Sequence, residues 1–443
     1  MADEYLRKSL YNRSNPQFNI ALNYYFAGDY KSAIPLLLKC RTSNALYLLA
    51  RYNYEIKKDY ENMMKYINLS KNNSYSLCLL ANYYYEVTKN YKLAKEYYHK
   101  SIEMNNTIAM NNLGYYYQEI EKDYELMKKY YLMAIELGDS YAMYNLGSHF
   151  QFTEKDYKLM EKYYLMAIEQ KHCGAMNNLG YYYQGKNDEL MKYYYLMAID
   201  LKYPQSMKNL GRYYAGKDYE LMKKYYLMAI ELKHVYAMRN LGNYYRYIEH
   251  DYKSAKKYYL MAIELGDSKS MNNLGNHYFV EKEYELMKKY YLMAIKNKNS
   301  SAMYNLGHYY QYIEKDYELM KEYYLMAIKF NDVTAMRNLG NYYYEINDIE
   351  LAKKYLTMAL VNGEVSVINT LAQIIPKSEL LQLDIPISKL SNLDQYKYFG
   401  LGAIADECGI CLTNGDLILM PRCTHRTCTK CYIQLKICPY CRA

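Results

Sequence analysis

The string Ala/Ser-Met-x-Asn-Leu-Gly occurs eight times in this chain, ending at Gly114, Gly147, Gly180, Gly211, Gly242, Gly275, Gly307 and Gly340. Self-similarity at such a period signals an array in which each repeat is one small supersecondary unit. Weaker copies end at Ala50, Ala81 and Ala372, and a further one sits near Ala21. The series therefore predicts about eleven units, ending in a lone helix.

Each unit reads as two helices. In residues 123–140, Tyr124, Met127, Tyr130, Tyr131, Ala134 and Ile135 follow helical spacing and form one apolar face. Lys128, Lys129 and Glu136 lie on the other side. Gly138 is placed to end the helix in a left-handed conformation, and Asp139 or Ser140 to cap the next one. There, Met143 and Leu146 share a face. Gly147 costs about 1 kcal/mol against Ala inside a helix, so its recurrence predicts close approach of a partner helix. Ala50, Ala81 and Ala372 keep that slot small. A pair this short cannot bury its apolar face alone. Stacking against neighbours predicts an all-α, extended solenoid.

Composition agrees. With 7 Pro and 19 Gly in 443 residues, an all-β fold with many tight turns is disfavoured. No apolar run approaches the roughly 18 residues a membrane helix needs. The N-terminus, MADEYLRKSLYNRSN, lacks the apolar segment of a signal peptide. A cytoplasmic protein without membrane contact is expected. The net charge of +9 comes from signs that alternate, as in DYELMKKYY, which reads as a solvated helix face and disfavours a nucleic-acid partner.

The units resemble tetratricopeptide repeats, and more closely their SEL-one-like relatives. Ala109, Leu113, Gly114 and Tyr117 carry the resemblance in the first helix, and Asp123, Tyr124 and Ala134 in the second. It covers about residues 17–372. Met110, Met143 and Met176 depart from it, standing near where tetratricopeptide repeats favour Trp. The resemblance implies a partner-binding scaffold whose first helices line a concave groove holding a protein substrate or adaptor.

Two first-helix positions vary most. One follows the Met: Asn111, Tyr144, Asn177, Lys208, Arg239, Asn272, Tyr304 and Arg337. The other follows the Gly: Tyr115, Ser148, Tyr181, Arg212, Asn243, Asn276, His308 and Asn341. Lying four apart, they form a stripe distinct from the Met/Leu core stripe. Arg239 with Asn243, and Arg337 with Asn341, are candidates to hold an acidic peptide group. The solvated wall of a groove explains the same variation. The repeated Asn, as in Asn112, Asn145 and Asn178, predicts a structural hydrogen bond. His99, His149, His172, His234, His250, His277 and His308 read as surface or groove residues. No phosphate-binding glycine loop, nucleophile elbow or carboxylate pair occurs in the array, and its Met and Tyr stripes read as core.

After Ala372 the pattern changes. The organisation expected is an array over 1–372, a cap and linker over 373–402, and a separate module over 403–443. Leu380, Leu381, Leu383, Ile385 and Leu390 are read as covering the open end of the array. Seven of the ten Cys fall between Cys408 and Cys441. In a long cytosolic chain such a cluster points to metal rather than disulfides. The ligands are Cys408, Cys411, Cys423, His425, Cys428, Cys431, Cys438 and Cys441. They suffice for two closed tetrahedral Zn²⁺ sites. So short a module needs the metal for its folding free energy.

Three Cys, one His and four Cys in that order resemble a RING finger. The resemblance implies cross-brace ligation, with Cys408, Cys411, Cys428 and Cys431 on one zinc. Cys423, His425, Cys438 and Cys441 would hold the other. It further implies a ubiquitin ligase that docks a ubiquitin-conjugating enzyme on an apolar groove. Ile410, Leu435 and Pro439 match the docking positions. Arg442 matches the cation that bridges enzyme and ubiquitin to orient the thioester. Terminal RING, near-identical units and AT-rich residue usage together resemble proteins of giant DNA viruses or protists, which would place the chain in a host cytoplasm. The alternative is a non-catalytic scaffold whose RING is structural.

Overall fold

The structure, a computed structural model, describes residues 2–12, 15–376, 383, 405–407, 414–419 and 426–428. Its helices include eleven successive pairs, from Pro16–Phe26 with Tyr30–Cys40 to Val333–Glu345 with Ile349–Val361. One helix precedes them, Ala2–Leu10, and one follows, Ile368–Ile374. The chain divides into two compact units, residues 1–232 and 233–443. Seven pairs lie in the first unit and four in the second.

Within the first unit, Leu6 and Leu10 of the leading helix join Phe18, Leu22, Leu48 and their neighbours in a closed apolar cluster. In the second, Met336, Leu356, Leu360, Ile368, Leu371 and Ile375 form the last cluster, and Leu383 packs against it. The helix Ile368–Ile374 runs past the expected boundary at residue 372. The other expected capping residues, Leu380, Leu381, Ile385 and Leu390, lie outside the described residues.

Short polar side chains set where the second helices begin. Asp123, Asp156, Asp218 and Asp316 each accept a backbone N–H from two or three residues ahead. Each such cap contributes about 1 kcal/mol. From a cap to the glycine of the next unit is a fixed 24 residues, as from Asp123 to Gly147 and from Asn187 to Gly211. Glycine to cap varies instead: 9 residues from Gly147 to Asp156, 7 from Gly180 to Asn187. The longer version ends the first helix in a π-helical turn, Phe150–Glu154, closed by Lys155 at φ 59°. The shorter turns at Gly185, φ 77°.

The junction from a second helix to the next first helix also uses left-handed backbone. Gly138 takes it at φ 80°, as its position in the sequence predicts. Lys171, Lys202, Lys233 and Lys298 take the same conformation without being glycine. A Lys there costs about 1–2 kcal/mol of backbone strain. Its cation sits where the helix presents unsatisfied carbonyls, which offsets part of that cost.

The tail, expected as a module separate from the helical array, contains strands. Three strands, β1 (Ala405–Glu407), β2 (Asn414–Leu419) and β3 (Arg426–Cys428), form an antiparallel sheet in the order β1-β2-β3. Glu407 pairs with Asn414 and Leu417 with Cys428.

Candidate functional site

Seven of the eight recurring glycines admit a tyrosine ring, and Gly340 admits Leu356. A Cβ added to Gly147 would lie 2.7 Å from the Tyr164 ring, and one on Gly180 would lie 2.6 Å from the Tyr195 ring. The ring belongs to the second helix of the same pair and is fully buried. Its hydroxyl then reaches the variable stripe. Tyr164 donates to Gln151 Oε1 at 2.7 Å and lies 3.0 Å from Ser148 Oγ. Tyr259 and Tyr291 donate to Asn243 and Asn276, the residues after their glycines.

The repeated Asn joins neighbouring pairs, as the sequence predicts. Asn145 donates to Asn111 at 2.9 Å, Asn209 to Asn177 at 2.9 Å, and Asn305 to both Asn272 and Asn276 at 3.0 Å. Asn178 donates to the Tyr164 hydroxyl at 3.0 Å. The acceptors are largely the stripe residues proposed above as ligand contacts. Much of the stripe is therefore committed to holding adjacent pairs in register.

Two of its cations are also committed. Arg239 Nη1 lies 2.7 Å from Asp267 Oδ1, with both side chains about nine-tenths buried. Arg337 pairs with Glu364 at 3.6 Å. An acid from the chain itself occupies each guanidinium, which corrects the expectation that these two arginines await an acidic peptide. Lys208 and Arg212 differ. They stand four apart on the helix Pro204–Tyr214, which contains no acid, and neither forms an ion pair among the described residues. Burial, then the charge of Arg212, lowers the pKa of Lys208. The sequence shows the two cations one turn apart, but the helix of Arg239 also lacks an acid, so only the neighbouring helices tell the two cases apart.

Three histidines are not surface residues. His149, His172 and His277 are buried. His149 Nε2 lies 3.0 Å from Glu154 Oε1, and Lys128 reaches the same carboxylate at 2.9 Å. His172 and His234 cap helices, each accepting a backbone N–H at Nδ1. The cap requires an unprotonated Nδ1, and burial holds the pKa of His172 down to about 4 from 6.5. The unfolded chain thus takes up this proton first. Stability from neutral His172 is complete above pH 6.5 and is lost as pH falls towards 4. The difference is about 3 kcal/mol. His172→Asn keeps a capping oxygen and does not titrate. The stability advantage of the unchanged chain over this variant is expected to shrink by that order between pH 7 and 4, measured by urea unfolding. A constant difference would mean that the cap and the proton are not linked.

Of the eight expected zinc ligands, Cys428 ends β3. Cys408, Cys411, Cys423, His425, Cys431, Cys438 and Cys441 lie outside the described residues, as do Ile410, Leu435, Pro439 and Arg442. Among the described residues no group of three or more His, Cys, Asp or Glu could hold a metal. No described helix is long and apolar enough to cross a membrane.

The segments 74–106, 107–139, 140–172, 235–267, 300–329 and 333–360 match the model of the Sel1 repeat. No curated protein matches the chain. Among solved structures, it is similar to c5321, a protective antigen present in uropathogenic Escherichia coli strains and displaying an SLR fold. That match has 20% identity over 83% of this chain and 86% of the other, with a TM-score of 0.44. A Sel1 repeat protein from Oxalobacter formigenes is similar at 25% identity, over 57% of this chain and 99% of the other, with a TM-score of 0.41. The helix pairs in those six segments, less than half of the chain, match SEL-one-like repeats.

Proposed function

We propose that this chain is a protein-binding scaffold in which the repeat array engages a protein partner. The observation that carries this reading is the array of SEL-one-like pairs. Their glycine, tyrosine and asparagine positions serve packing and register, while the stripe between them changes from unit to unit. Varied side chains on a constant frame suit recognition of another protein surface. A partner captured by the full chain should remain bound after zinc chelation if the array holds it. Release on chelation would move the binding to the tail.

A second reading makes the scaffold a cytoplasmic RING-type ubiquitin ligase, and the ligand spacing from Cys408 to Cys441 favours it. Seven thiols and one imidazole are a donor set suited to two Zn²⁺. In the cross-brace order Cys408, Cys411, Cys428 and Cys431 would hold one ion and Cys423, His425, Cys438 and Cys441 the other. The ions would fix the fold of the module. Ile410, Leu435 and Pro439 would present the apolar docking surface for a conjugating enzyme charged with ubiquitin. Arg442 would orient the thioester by hydrogen bonding to both proteins, and the array would bring the substrate lysine.

Arg442→Ala tests this reading without touching a ligand. Loss of a charged, orienting hydrogen bond worth about 1.5–3 kcal/mol should slow ubiquitin discharge roughly 10- to 150-fold, with little change in docking of the uncharged enzyme. Ile410→Ala should weaken docking itself. An unchanged chain that discharges no conjugating enzyme in a panel would leave the scaffold without ligase activity.

A further inference from the structure

We infer that Lys208 and Arg212, with the cavity that Arg212 lines, form a docking site for a peptide segment that presents one anionic group next to an aromatic or large apolar side chain. The inference rests on the scaffold reading and names the chemistry of its ligand.

The first observation is a break in the tyrosine pattern. Other buried tyrosines at this position bond to the stripe or to a Gln four residues after the glycine: Tyr259 to Asn243, Tyr291 to Asn276, Tyr164 to Gln151 and Tyr324 to Gln311. Tyr195 is fully buried against Gly180, and its hydroxyl bonds to neither Tyr181 nor Gln184. Asn209, beside it on the next first helix, gives its amide to Asn177. The hydroxyl is closed to solvent, so the break marks where the frame changes and is not itself a ligand contact. The stripe residue Tyr181, and Gln184 beyond it, line the cavity.

The second observation is charge. Arg239 and Arg337, on the same stripe, are met by acids of the chain, whereas Lys208 and Arg212 are not. Two like charges one helical turn apart repel unless an anion lies between them. Arg212 itself lines the cavity.

The third is shape. The cavity measures about 550 Å³ and is bounded by Phe152, Tyr157, Tyr181 and Tyr182 as well as Arg212. Phe152 is 63% exposed and Tyr181 51%. A bare inorganic anion would leave these rings in water, while an apolar side chain beside the anion would cover them. Lys186 is already stacked over Tyr182 at 3.5 Å. Single-stranded nucleic acid needs cations repeated along a groove. The stripe positions before it are instead Tyr144, Ser148 and Asn177, and the next cation along the stripe, Arg239, is already met by Asp267, so the site reads one anion rather than a polyanion.

The test uses the full chain and short fluorescent peptides that are identical except for a central pair: Glu-Phe, phosphoserine-Phe or Gln-Phe. Fluorescence anisotropy should show at least one anionic probe binding about tenfold or more tighter than Gln-Phe, the effect of a charge-assisted contact. Preference between the Glu and phosphoserine probes separates a carboxylate from a phosphate source. Arg212→Ala and Lys208→Ala should each weaken that probe about tenfold, Phe152→Ser should weaken all three, and Arg337→Ala should change none. Circular dichroism confirms that each variant is folded. Equal binding of all probes, no binding at millimolar protein, or indifference to Arg212→Ala overturns the site. If partner capture by the array persists meanwhile, the scaffold reading stands without it. Tighter, Arg212-dependent binding of an oligouridine would replace the peptide with nucleic acid.

Discussion

Tyr164→Ala is expected to lower the unfolding free energy of residues 1–232 by about 3–5 kcal/mol. The ring is 0% exposed and lies on Gly147, so its removal opens a cavity between the two helices of one pair. The loss also spreads to the next pair, because the hydroxyl accepts from Asn178 while bonding to Ser148 and Gln151. Tyr164→Phe separates the two contributions. It keeps the ring and strands the polar neighbours, at about 1–3 kcal/mol. Gly147→Val should be destabilising in the unchanged chain, since its side chain would start 2.7 Å from the ring. With Tyr164→Ala it should be much less so, giving a coupling energy on the order of 1 kcal/mol or more. Denaturant unfolding of the four proteins measures this cycle. Strict additivity would mean that the glycine is not there to admit the tyrosine.

Elemental analysis of chain prepared without chelator is expected to find two zinc ions. The basis is the ligand order from Cys408 to Cys441. A module of this size takes its folding free energy from the metal, so chelation should unfold residues 403–443 outright. The helical signal should persist, because no described residues of the array form a metal-binding group. Ubiquitin discharge, if the second reading holds, should vanish with the zinc. One ion or none would exclude the cross-brace pairing, and loss of the helical signal would mean that the array depends on the tail.

The array was legible because its determinants are local. Spacing places the apolar faces, Asp and Asn mark the helix starts, and a fixed glycine announces a close contact. The identity of that contact was not legible from any one unit: Tyr164 reaches Gly147 only when the two helices cross. The same limit misassigned the stripe. Arg239 looks free in sequence, and only the stacking of the next pair brings Asp267 against it at 2.7 Å. His172 looked like a surface or groove residue because its burial comes from Tyr141 and Tyr144 on the first helix of the preceding pair. Lys208 and Arg212 stood in the sequence as two members of the stripe. What separates them from the other cations is the absence of an acid opposite, a property of neighbours rather than of the helix itself. In the tail, regular Cys spacing made the ligands legible, whereas β1 and β3 have only three residues each and β2, NGDLIL, does not alternate polar with apolar.

The fixed 24-residue run from a cap to the next glycine also bears on how such a chain changes over generations. An extra residue inside it would rotate the following helix by about 100° and carry its asparagine away from the neighbouring stripe. Between glycine and cap the chain already accepts 7 to 9 residues, by swapping a glycine turn for a π-helical one. Insertions and deletions in the lineage should therefore collect at that one connection. Whole units can be gained or lost there by recombination between near-identical stretches, leaving the asparagine and tyrosine contacts of the flanking units intact.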